Sequence, residues 1–133
     1  MKKVLTVSVL LIAACAAALF SACGKKEVVL TVAEVKQAYT DAQFTAADSA
    51  GVGASKLLGA LAVTKGGDAA LIYVFEDAAA ANAFTDSLDI AASYQNAVIT
   101  GFSAGGALLS NLDDAKVVAL RKPLSDLWDG KNK

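Results

Sequence analysis

The sequence predicts an α+β fold of the pattern helix–hairpin–helix–hairpin–helix, a four-stranded, mainly antiparallel sheet with its helices packed on one face. Three observations lead there. Apolar residues recur at helical spacing in three stretches, and β-branched and aromatic runs lie between them. Gly66-Gly67 and Gly105-Gly106 separate neighbouring runs as hairpin turns do. A length of 133 residues accommodates one such domain and not two. With 56% apolar and 19% charged residues, the composition is not that of a disordered chain.

In chain order, Met1-Lys2-Lys3 is basic, and the stretch from Val4 to Ala22 carries no charge. This is the layout of a secretory signal peptide, a basic start followed by an apolar run and small residues. Its length would also serve an uncleaved helix across a bilayer core of about 30 Å. Phe20-Ser21-Ala22-Cys23 separates the two. It resembles the lipobox of bacterial lipoproteins, an apolar residue and two small ones before the cysteine that receives a diacylglycerol. The resemblance implies cleavage before Cys23, lipid on its thiol, and a tether over residues 23–30. Ile12-Ala13-Ala14-Cys15 has the same form, but cleavage there would leave Ala16 to Phe20 as an apolar stub. Cys23 is followed instead by the polar Gly24-Lys25-Lys26-Glu27. The mature domain, residues 31–133, also looks like small uncharacterised lipoproteins.

The domain then begins at Thr31, an N-cap with Glu34 at capping-box spacing, and a helix is predicted over residues 32–43. Small residues from Thr45 to Gly53 read as a loop, Leu57 to Thr64 as a strand, and Ala70 to Phe75 as the strongest strand. Asp77 caps a second helix, whose stripe of Ala80, Phe84, Leu88 and Ala91 carries it to about Ser93. Ala97 to Phe102 is a third strand and Ala107 to Ser110 a short fourth. Asn111 or Asp113 caps the last helix, which buries Val117, Leu120, Leu124, Leu127 and Trp128 and is kinked or broken at Pro123.

One hexapeptide suggests catalysis. Gly101-Phe102-Ser103-Ala104-Gly105-Gly106 contains G-x-S-x-G, the nucleophile elbow of α/β-hydrolases, after an apolar strand. A serine hydroxyl needs a base to attack, and the chain has no histidine. Lys116 or Lys122 would have to be buried to replace it, and both fall on polar helix faces. Ser103 is therefore expected to be a hairpin residue, with a surface serine hydrolase as the alternative reading.

Other patterns are weaker. Asp113-Asp114 reads as helix capping, Gly51-Val52-Gly53 as a loop, and Asp126 to Asn132 lacks calcium-loop spacing. No catalytic residue, metal site or cofactor is expected. Removing residues 1–22 leaves 111, with ten basic residues against thirteen acidic ones and no basic patch for nucleic acid. The expectation is a non-enzymatic lipoprotein with a binding or structural role in the cell envelope. Lipid on Cys23 would hold it on a bacterial membrane, facing away from the cytoplasm. In a Gram-negative host that would be the outer membrane, and an unidentified protein or small ligand is the expected partner.

Overall fold

A computed structural model describes residues 28–51 and 53–131. The apolar N-terminal segment, Cys15, Cys23 and most of the expected tether lie outside the described residues. Leu30, at the tether's end, is fully buried.

Helix α1 (Val32–Asp41) opens on the reciprocal cap that the Thr31/Glu34 spacing predicts. The Glu34 N–H donates to the Thr31 hydroxyl and the Thr31 N–H to the Glu34 carboxylate, both at 3.1 Å. Val35 and Tyr39 are its buried face. The chain then forms strand β1 (Thr45–Ser49), where the sequence reading has a loop. Alanine, serine and aspartate have little strand preference of their own; β1 exists because all five residues pair with β2 (Leu57–Lys65).

β2 turns into β3 (Asp68–Phe75) through Gly66 and Gly67, whose φ angles of 59° and 92° suit the tight hairpin turn. Asp77 caps α2 (Ala78–Asp86), accepting the Ala80 N–H at 2.8 Å. This helix stops seven residues short of Ser93, because residues 91–94 become strand β4 (Ala91–Tyr94) instead. Leu88 and Ala91 still pack against the same cluster as Ala80 and Phe84, reached through a loop and a strand. The apolar spacing was therefore genuine, and its helical interpretation holds only as far as Asp86.

β5 (Ala97–Ala104) and β6 (Ala107–Leu108) follow. Helix α3 (Ala115–Lys131) is capped by Asp114, whose carboxylate accepts the Lys116 N–H at 2.9 Å, and not by Asn111 or Asp113. Asn111 instead accepts the Asp113 N–H in the preceding turn. Pro123 sits inside one continuous helix rather than between two. Val117, Leu120 and Leu124 flank it and are fully or almost fully buried. Burial at about 1.5–3 kcal/mol each exceeds the roughly 3 kcal/mol that an internal proline costs.

The sheet has six strands, not four, ordered β1-β2-β3-β5-β4 with β6 beside the far end of β5. Every pair is antiparallel. β1 and β4 each extend what was expected to be a plain hairpin, so helix–hairpin units do not describe the chain. Nor do the helices share one face. Ile72 and Val74 of β3 enter a core with α1 and α3, whereas Tyr73 and Phe75 enter another with α2. Alternate β3 side chains point to opposite faces, and both sets are apolar, so both faces need cover.

Asn96 fastens Leu30, just before α1, to the β4–β5 turn. It is fully buried, accepts the Leu30 N–H at 2.7 Å, and donates to the Leu30 and Phe75 carbonyls at 2.7 and 2.8 Å. Within the core that holds Leu30, the Tyr39 hydroxyl donates to the Leu120 carbonyl at 2.6 Å, joining α1 to α3.

Candidate functional site

The G-x-S-x-G segment is the end of a β-hairpin. Gly101 has φ 65° and lies in a bulge, where β5 places two residues between Thr100 and Ser103 against one, Ala70, on β3. A Cβ there would come within 3.3 Å of the Leu71 side chain. Gly105 and Gly106, with φ 58° and 85°, turn the chain back into β6. A nucleophile elbow instead leads from a strand into a helix and lifts its serine clear of the sheet. Here Ser103 stays in the ladder, opposite Ala69 on one side and Leu108 on the other.

Neither neighbour titrates. The lysines considered as a base are occupied elsewhere: Lys116 Nζ lies 3.5 Å from Asp68, and Lys122 Nζ 3.2 Å from Asp126. Both side chains are mostly exposed. Among the described residues, no three His, Cys, Asp or Glu side chains are grouped to hold a metal.

Ser103 belongs to a different kind of surface. The ladder aligns Thr45, Thr64, Ala69, Ser103 and Leu108 across five strands, and beside them Ala47, Ala62, Leu71, Thr100 and Ala91. These two rows lie on the α2 side, since Leu71 and Ala91 pack in the α2 cluster. α2 itself packs on β3, β4 and β5, leaving the rows increasingly open toward β1 and β6. None of the ten side chains is charged, and Leu108 is 82% exposed.

Two depressions flank the helices. Between α1 and α3 is a groove of about 570 Å³ with Ala38, Phe44, Pro123 and Leu127 in its walls. Lys65 at its mouth donates to the Ala42 carbonyl at 3.0 Å and sits 5.2 Å from the Phe44 ring centre. That lysine caps the carbonyl end of α1, where a cation is favoured. A second depression, of about 490 Å³, lies beside α2 and includes Lys56 and Asp77. The Lys56 ammonium, 3.1 Å away, and more strongly the Ala80 N–H hold the Asp77 carboxyl below its usual range.

Sequence reasoning missed two features that organise these surfaces, β1 and the Asn96 clasp. Asn96 had a weak signal as a turn residue after the Ala91–Tyr94 run, which was absorbed into the predicted helix. The chain matches no protein-family model, no curated protein and no solved structure.

Proposed function

We propose that this chain is a small bacterial lipoprotein, anchored through lipid on Cys23, whose domain has a non-enzymatic binding or structural role in the cell envelope. The observation that carries this reading is Phe20-Ser21-Ala22-Cys23 at the end of an uncharged apolar run. Its spacing to the domain supports it. Leu30 stands seven residues after Cys23 and is already core, so the chain between them reaches about 25 Å at most. The domain would thus be held close to the outward surface of the membrane, the outer one in a Gram-negative host. Each buried acyl methylene contributes about 0.8 kcal/mol, and two or more chains give stable attachment. The two uncharged rows of the sheet are the surface offered to a partner.

The hydrolase reading has only the hexapeptide in its favour. Ser103 has strand neighbours on both sides and no base opposite it. Two measurements test the proposal. Labelled palmitate is expected to enter the native chain and not Cys23→Ala; no labelling, or equal labelling of both, would contradict the lipid anchor at Cys23. A fluorophosphonate probe is expected to label neither the native chain nor Ser103→Ala. Labelling of the native chain alone would establish the hydrolase.

A further inference from the structure

The two edges of the sheet are built differently. One edge is short and interrupted: β4 has four residues, β6 has two, and the Gly101 bulge lies between their pairing sites on β5. Bulges and short strands are how proteins keep an edge from pairing. Tyr94 on that edge is also held by Arg121, whose Nε donates to its hydroxyl at 3.0 Å.

The β1 edge has none of these devices. Its five residues pair with β2 in unbroken register, from Thr45 opposite Thr64 to Ser49 opposite Ala60. It contains no proline, glycine or lysine. Among the described residues, no backbone hydrogen bond outside the β1–β2 ladder reaches Thr45–Ser49. Half of its N–H and C=O groups face outward, in line, as a template for another strand.

We propose that this edge pairs with the β1 edge of a second copy of the chain, antiparallel and centred on Ala47. A strand of five residues overlaps itself fully only about its middle residue. That register sets Thr45 opposite Ser49 of the second copy, hydroxyl beside hydroxyl, and Ala47 opposite Ala47. Asp48, the strand's one charge, then meets Ala46. A register centred on Asp48 would place two carboxylates face to face, which is destabilising. Each Asp48 is also neutralised within its own copy by Lys36, 3.5 Å away on α1. The pairing joins two six-stranded sheets into one and makes their Ala47 rows continuous. It is an isologous contact, closed by one twofold axis, and so ends at two copies.

Nothing in this pairing depends on residues 1–27, so it stands or falls separately from the lipid anchor. Ala47 and Thr45 are exposed, and Ser49 is half-buried at the strand's end, so each can be replaced by cysteine in the full-length chain. Whole lysates of cells producing Ala47→Cys are oxidised with copper phenanthroline beside the unsubstituted chain, which reads any contribution from Cys15 or Cys23. Opposed residues in a strand pair have Cα atoms about 4.5–5.5 Å apart, within disulfide reach. The expected result is a covalent dimer at least tenfold above the unsubstituted chain for Ala47→Cys. The same is expected for Thr45→Cys co-produced with Ser49→Cys, and not for Thr45→Cys alone. Leu58→Cys, exposed but off this edge, is expected to stay at background. Dimer yield from Ala47→Cys no higher than from Leu58→Cys, or from the unsubstituted chain, would overturn the proposal.

Discussion

At the scale of single residues, the fold depends on a few positions whose role follows from their surroundings. Asn96→Ala would leave the Leu30 N–H and two carbonyls buried without partners. A loss of about 3 kcal/mol is expected, read as a lower urea midpoint. Gly101→Ala forces a side chain into a left-handed backbone and against Leu71, and should cost about 1–2 kcal/mol. Gly53→Ala, with nothing within 4 Å and no positive φ, is its control and should change stability by less than about 0.5 kcal/mol. The hexapeptide illustrates what a motif does and does not specify. Its glycines were legible as special backbone positions, but the same pattern serves a bulge and a hairpin turn as well as an elbow. The element after the serine decides between them, and here it is a strand.

At the scale of elements, two of the three helix caps were legible and helix ends were the least so. Thr31, Glu34 and Asp77 act at the positions their spacing indicates, because capping is a local interaction between near neighbours. The end of α2 is set by a hairpin instead. Residues 91–94 pair with residues 97–100 of β5, and the helical spacing of Leu88 and Ala91 does not register that competing contact. β1 was illegible for the same reason, since its pairing with β2 supplies what its residues lack.

The same caps set the response to acid. Glu34 is held below its ordinary value chiefly by the Lys131 ammonium at 2.6 Å, and Asp77 chiefly by the Ala80 N–H. A carboxyl depressed in the folded state adds stability above its unfolded pKa, about 4, and loses it as pH falls through the folded value. The melting temperature should therefore drop below about pH 4, and Glu34→Gln should flatten that limb. The alkaline side has the opposite sign. Burial pushes the Tyr39 hydroxyl well above its ordinary value, so its contribution is complete below about pH 10 and declines above it. Tyr39→Phe should flatten that decline and cost about 1 kcal/mol at neutral pH through the lost bond to Leu120.

For the whole molecule, the class was legible and the arrangement was not. Apolar runs and glycine turns indicate helices with an antiparallel sheet, whichever way the helices lie. Their distribution over both faces was visible only in β3, whose run from Ala69 to Phe75 is apolar at every position instead of alternating. Such a strand is covered on both sides. That placement leaves α2 alone on its face, and the uncovered remainder of that face is where Ser103 lies. The same geometry that keeps Ser103 in the ladder, between Ala69 and Leu108, sets it within the two uncharged rows of that face.

The central claim is that this surface belongs to a lipid-anchored domain, and mass spectrometry of the mature N-terminus tests it most directly. Protein extracted from membranes is expected to begin at Cys23, with residues 1–22 absent and a mass gain on the N-terminal peptide matching two or more acyl chains. An N-terminal peptide that retains residues 1–22, or begins at Cys23 with no added mass, would contradict the account.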